Sequence, residues 1–216
     1  MNAKKKGKKM KQKNAIYQMK IKLLNFKPWI WRRVLVPSGS TLRDLHHIIQ
    51  AAMPWDGGHL HQFIIDQDSY GPTMKELGSD WGEEVLDERK FTLEKLSLPL
   101  KYKFKYEYDF GDDWAHEITF EKIVASDPGQ IYPICIDGEN AAPPDDCGGV
   151  WGYHELLKIL ADPKNPEYKN RQRWLGEKFV PTKFKIDKTN QNLRNLFPKK
   201  LTKKTNRSSR AANLSP

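Results

Sequence analysis

Two short stretches carry the residues that could do chemistry. The first is Tyr108-Asp-Phe-Gly-Asp-Asp-Trp-Ala-His116. Asp109, Asp112, Asp113 and His116 there would offer oxygen and nitrogen ligands to a hard or borderline divalent cation. The spacing is not that of a calcium-binding EF-hand loop. The same residues also suit a structural role, because Asp side chains bond nearby backbone amides in turns and His116 falls on an apolar face. The second stretch runs from Gly138 to Tyr153 and holds Glu139, Asp145, Asp146 and Cys147. Pro143-Pro144 stiffens its approach, and Gly148-Gly149 admits backbone angles that other residues avoid. Those glycines precede a helix start that could hold an anion, but the adjacent acids repel phosphate and no nucleotide fingerprint is present. Asp145 and Asp146 would equally satisfy the loop's own amides or cap a helix beginning near Gly152. Cys147 has no activating base beside it in sequence.

Two further groups are candidates. His59 and His61 stand two residues apart, which on a strand aims both at one face and suits a zinc, nickel or iron pair if a third ligand converges. His46 and His47 are the nearest candidate partners. The alternative is polar residues near a strand end, set against Trp55. In Trp31-Arg32-Arg33 the two arginines point to opposite faces. Either recognises carboxylate or phosphate, and pairing with the acids of the two motifs is the preferred reading in a net-acidic core.

These residues need elements to position them. Tyr17, Met19, Ile21 and Leu23 alternate with polar residues, the period of a half-buried strand. Residues 29–36 read as a second strand forming a hairpin with the first. Thr41 with Asp44 is a capping-box variant opening a helix through Leu42, Leu45, Ile49 and Ala52, ended by Pro54. Residues 59–65 follow as a third strand, and residues 66–90 read as irregular. Phe91–Leu96 is a short helix with Thr92 as cap. Residues 102–110 and 114–121 alternate about Gly111-Asp-Asp113, a hairpin with a three-residue loop. With Phe110 opposite Trp114, Tyr108 faces His116 and Lys103 faces Glu121, but Glu107 then faces Glu117, an unfavourable like-charge pair. Residues 131–136 form another strand. Helices are expected over 152–161, over 166–175 with Gly176 as C-cap, and at the end of 183–196.

Charge divides the chain. It carries 37 Lys and Arg against 27 Asp and Glu over 216 residues, a net +10. Thirteen of the basic residues lie in 1–14 and 199–216, which hold no acid, so residues 15–198 carry 24 basic residues against 27 acids, a net of −3. Such runs bind polyanions, nucleic acid among them, without sequence preference, or serve as solubilising ends. No apolar run is long enough for a membrane helix, so no membrane partner is expected. Two cysteines are too few for a disulfide framework, and a reduced, cytoplasmic setting is expected.

Taken together, Trp31-Arg-Arg33, Leu45-His46, Trp55, His59-Leu-His61 with Phe63, Tyr70-Gly71, the 108–116 motif with Glu121, Pro143-Pro-Asp-Asp-Cys-Gly-Gly149 and Gly152-Tyr153 occur in an order that resembles the Ri-plasmid ORF-three-like family. Its members are often labelled passenger proteins of insertion elements. The resemblance covers about residues 15–197. It implies an α+β fold and no established activity. A resolvase label found on some members does not fit these residues, since neither a serine-recombinase nor a tyrosine-recombinase set can be assembled. Where many members read Ala-Cys-Pro-Pro-Glu-Asp, this chain has Ala141-Ala-Pro-Pro-Asp-Asp146, so a metal site built on that cysteine with Cys135 and Cys147 would be incomplete here.

The expectation is one α+β domain over 15–197, with a mixed or mainly antiparallel sheet, helices against it, and basic disordered tails at 1–14 and 198–216. The two motifs are expected to meet in an acidic, Trp-rimmed cleft. Its candidate residues are Trp31, Arg32, Trp55, His59, His61, Tyr108, Asp109, Asp112, Asp113, Trp114, His116, Asp145, Asp146 and Tyr153. A divalent metal would draw on Asp112, His116, His59 and His61. Three functional classes follow: a binding module for a protein or nucleic-acid partner, a metal-dependent hydrolase or nuclease, and motifs that only build the fold.

Overall fold

The computed structural model describes residues 15–73, 85–176 and 179–197. Eight strands form one sheet: β1 (Ile16–Leu23), β2 (Trp31–Pro37), β3 (His61–Ile65), β4 (Asp68–Gly71), β5 (Leu86–Asp87), β6 (Lys103–Tyr108), β7 (Trp114–Val124) and β8 (Ile134–Glu139). Their order is β5-β4-β3-β6-β7-β1-β2-β8. Every neighbouring pair is antiparallel except β4 and β5, which run parallel. The chain is an α+β protein with a single domain and a mixed sheet.

Period-two alternation builds the core. Met19, Ile21, Val34, Val36, Phe104, Tyr106, Ile118 and Phe120 are all buried, while their polar strand neighbours are less so. Among the described residues five α-helices accompany the sheet: α1 (Leu42–Ala52), α2 (Leu93–Leu96), α3 (Gly149–Ala161), α4 (Tyr168–Leu175) and α5 (Ile186–Leu196). At the start of α1, the Asp44 N–H donates to Thr41 Oγ1 at 3.0 Å and the Thr41 N–H donates to Asp44 Oδ2 at 2.8 Å. A cap of this kind contributes about 1 kcal/mol. α1 buries Leu42, Leu45, Ile48 and Ile49 and packs on α5 and β4. α5 in turn lies along β8, the edge strand. There the Asn190 side chain accepts from the Cys135 N–H at 2.8 Å and donates to the Cys135 carbonyl at 2.9 Å.

The structure changes several expectations. The β6–β7 hairpin pairs Tyr108 with Trp114, Tyr106 with His116 and Lys105 with Glu117. This is two residues away from the register expected from Phe110 opposite Trp114. The observed register separates Glu107 from Glu117 and gives Glu117 a basic neighbour. It also lengthens the loop to residues 109–113, and Phe110 stands exposed on it. Asp109 makes that loop possible: its Oδ1 accepts from the Gly111 N–H at 3.0 Å and the Asp112 N–H at 3.3 Å, an Asx turn that the alternation does not reveal. β3 begins at His61, not at residue 59. Residues 66–90 hold β4, β5 and a 3-10 turn at Glu88–Lys90; residues 74–84 of that span lie outside the described residues. α3 begins three residues before Gly152, at Gly149. Both tails, 1–14 and 198–216, lie outside the described residues.

Candidate functional site

The two motifs meet. The Gly148 N–H donates to Asp112 Oδ2 at 3.0 Å. Gly148 and Gly149 have φ of 88° and 65°, and a Cβ on Gly149 would run into the Asp112 backbone carbonyl. Glycine is therefore required where the second loop lies against the first. A few residues away, Asp145 Oδ2 accepts from the Tyr108 hydroxyl and the Asp56 N–H, each at 3.3 Å. The Trp55 indole N–H donates to the Pro143 carbonyl at 3.0 Å. Neither Asp145 nor Asp146 caps α3, whose N-cap Gly148 has no side-chain cap.

The aromatic residues expected at the rim form the floor. Trp114 is 0% exposed and Trp55 6%. The Trp55 ring stacks on Tyr108 with centroids 5.1 Å apart and on Trp114 at 5.8 Å. Tyr108, His116 and Tyr153 are buried with them. The exposed tryptophan of this region is Trp151, in the first turn of α3 and 87% exposed. It shares a depression of about 530 Å³ with Asn25, Asp112, Asp113, Gly148 and His154. Its position beside the Gly-Gly pair was the available signal for it in the sequence. Trp31 reaches the second motif only at its first acid, donating its indole N–H to Glu139 at 2.9 Å, and carries Lys20 over its ring; among the described residues it makes no hydrogen bond or ring contact to Asp109, Asp112, Asp113, Asp145 or Asp146.

His59 lies between the motifs. Its Nε2 is 3.0 Å from Asp146 Oδ1 and its Nδ1 is 3.7 Å from Asp109 Oδ2. Burial disfavours its charged form, but the charges of Asp109, Asp146 and Asp145 outweigh burial and raise its pKa above the ordinary 6.5. Asp145 is also raised, first by burial and then by the neighbouring Asp56 and Asp146 charges. Its Oδ1 is buried with no partner. Burial, with Asp112, Asp145 and Asp146 nearby, pushes the Cys147 thiol up to about 12, so no thiolate nucleophile forms near neutral pH.

Asp112, His116, His59 and His61 do not converge as a ligand set. His116 is wholly buried; its Nδ1–H donates to the Trp114 carbonyl at 2.9 Å, leaving Nε2 as a lone pair without a partner. Burial lowers its pKa to about 4. His61 turns away to Glu88, with Nε2 2.9 Å from Oε2 and both side chains buried. Because β3 starts at His61, His59 lies in the preceding turn and the two rings part. Among the described residues, one group could hold a cation with three ligands: His59, Asp109 and Asp146, whose donor atoms lie within 4.8 Å of one another.

A second polar cluster lies under α1. The His46 ring stacks on His61 with centroids 3.5 Å apart. Gln50 Nε2 donates to the Tyr106 hydroxyl at 2.9 Å, and that hydroxyl lies 2.8 Å from His46 Nδ1. Burial, and then the His61 charge, lowers the His46 pKa to about 2. Glu88, which completes this cluster, sits in the span read as irregular, and nothing in its spacing points to His61. The arginines divide as well. Arg33 pairs with Glu121 at 2.7 Å and Asp137 at 2.8 Å. Arg32 pairs with no acid of either motif; its acceptors are backbone carbonyls.

Known proteins share this architecture. A Methanosarcina mazei Go1 crystal structure, titled as the protein of unknown function MM3350, is 37% identical, with a TM-score of 0.72 over 81% of this chain and 96% of that one. The Sinorhizobium fredii (strain NBRC 101917 / NGR234) protein named "Uncharacterized protein y4hQ" is 34% identical over 163 residues, 75% of this chain and 81% of that protein. No helix among the described residues is long and apolar enough to cross a membrane. The model of the plasmid pRiA4b ORF-3-like proteins matches residues 15–188, and the chain belongs to that family.

Proposed function

We propose that the protein is a binding module whose acidic face takes a cationic segment of a protein partner. The observation that carries this reading is Trp151, a large aromatic ring 87% exposed beside Asp112 and Asp113. An exposed indole with carboxylates at its foot suits a Lys or Arg side chain through cation–π and ionic contact. His59 also favours binding over metal chemistry. Its two ring nitrogens face two different carboxylates, and one cation can take only one nitrogen. The charges of Asp109 and Asp146 favour protonation of the ring, which competes with a cation for the same carboxylates.

The test is a fluorescence titration with an oligolysine or oligoarginine peptide. Asp113→Asn combined with Trp151→Ala removes groups that hold no other element in place, and affinity is expected to fall about tenfold. Unchanged affinity rejects the reading. The basic tails would add a separate attraction to nucleic acid, one that falls steeply with salt. DNA binding that survives loss of both tails would move that role to the folded domain.

A metal-dependent hydrolase is the second reading, and the His59, Asp109 and Asp146 group is what favours it. Elemental analysis after zinc, manganese, nickel or magnesium add-back tests it. One bound equivalent, lost in Asp146→Asn, would favour the hydrolase over the binding module.

A further inference from the structure

Arg32 is 1% exposed and has no carboxylate partner among the described residues. Its Nε donates to the Ala52 carbonyl at 3.0 Å, and its Nη1 donates to the carbonyls of Trp31 at 2.8 Å and Glu139 at 2.9 Å. Nη2 has no protein acceptor among the described residues, yet it is not among the atoms sealed from solvent. A buried cation is normally paired, because burying it alone costs several kcal/mol. Burial lowers this guanidinium to about 10, which leaves it charged at neutral pH.

The missing partner has a place to sit. Arg32 lines a cavity of about 320 Å³ whose apolar wall includes Pro143, Leu175, Phe179 and Phe184. The Phe184 ring lies over the guanidinium, with its centroid 4.1 Å from Cζ. Gly138 permits this, since a Cβ there would stand 2.6 Å from the Phe184 ring. α5 starts at the same cavity, with Lys188 and Thr189 in its lining and no side-chain cap at its first turn. Both features favour negative charge. Asp145 lines the cavity too, and its Oδ1 is buried without a partner. Arg32 and Asp145 make no hydrogen bond or ion pair with each other. The cavity is thus lined by a guanidinium with no carboxylate partner and by the half-buried carboxylate of Asp145, with apolar side chains in the same wall.

We propose that this cavity binds a small amino-acid-like zwitterion: its carboxylate against Arg32, its apolar body along Phe179 and Phe184, and its ammonium group toward Asp145. The site is separate from the acidic face around Trp151. Each charged side chain of the lining then meets a complementary ligand group, and the ligand's apolar part leaves water.

Calorimetric titration of the full chain with L-leucine, L-phenylalanine, 3-phenylpropionate, phenethylamine and inorganic phosphate tests the proposal. One amino acid should bind at a single site, and the analogues lacking either charge should bind about tenfold more weakly or worse. Asp145→Asn should bring L-phenylalanine down to the affinity of 3-phenylpropionate. Arg32→Met should abolish binding. If Arg32→Met fails to fold, Val180→Trp fills the cavity mouth from a partly exposed position and should weaken binding without unfolding the chain. No binding of either amino acid at millimolar concentration overturns the proposal. So does 3-phenylpropionate binding as tightly as L-phenylalanine, phosphate binding alone, or Val180→Trp leaving affinity unchanged.

Discussion

The Gly148 N–H donates to the Asp112 carboxylate at 3.0 Å, across 36 residues of sequence. This bond ties the loop between β6 and β7 to the start of α3. It also explains the Gly-Gly pair, because Gly149 then lies directly against the Asp112 backbone.

Replacing Gly149 by Ala should therefore be costly. The left-handed backbone and the collision with the Asp112 carbonyl add up to about 2–4 kcal/mol. Gly39→Ala is the control, since a Cβ there meets nothing within 4 Å, and it should change stability by about 0.5 kcal/mol or less. Urea unfolding of both variants checks the contrast, and equal midpoints would contradict the contact.

Acid should destabilise the fold from the histidine range downward. His116 and His46 are held neutral in the fold, at about 4 and about 2, against an ordinary 6.5. Below pH 6.5 the unfolded chain takes up their protons and the folded chain does not. Stability is thus complete above about 6.5 and is lost as pH falls, at about 1.4 kcal/mol per pH unit for each group. His116→Phe removes the Nδ1–H bond to the Trp114 carbonyl and should cost about 1 kcal/mol at pH 7, but it should flatten the decline in urea midpoints between pH 7 and 5.

His59 should titrate in the opposite sense. Its raised pKa means that its ion pairs favour the fold below about 6.5 and lose that effect as pH rises through the folded value. NMR titration of the imidazole should place it above 6.5 in the native chain and closer to 6.5 in Asp146→Asn. An unshifted resonance would mean that the pairs do not form in solution.

Cys147 should resist alkylation. With its thiol pushed up to about 12, iodoacetamide at pH 8 should react far more slowly than with an exposed peptide thiol. Rapid labelling of the native chain would contradict this.

The strands and capped helices were legible because their signals are local. Alternation marks β1, β2, β6 and β7, and the Thr41/Asp44 pair marks α1. The meeting of the motifs was expected, but its chemistry was not. Which tryptophan faces water depends on how α3 packs, and only the adjacent Gly-Gly pair separates exposed Trp151 from buried Trp114 in the sequence. The hairpin register was misplaced because the Asp109 carboxylate accepts from the Gly111 and Asp112 N–H groups ahead of it in the loop, an interaction that periodicity ignores. His61 was grouped with His59 by sequence distance, yet its partner Glu88 arrives from a strand edge across the sheet. Arg32 was assigned to the motif acids on net charge, whereas its neighbours proved to be carbonyls.

Asn190 has a consequence beyond its two hydrogen bonds. Its amide supplies one acceptor and one donor to Cys135, the pattern another chain's backbone would offer to β8. A side chain thus occupies the place of a ninth strand. Asn190→Leu, or release of α5, would leave that row of amides and carbonyls open to a second molecule. The first sign of damage at this helix would be self-association of folded chains, ahead of any loss of the core.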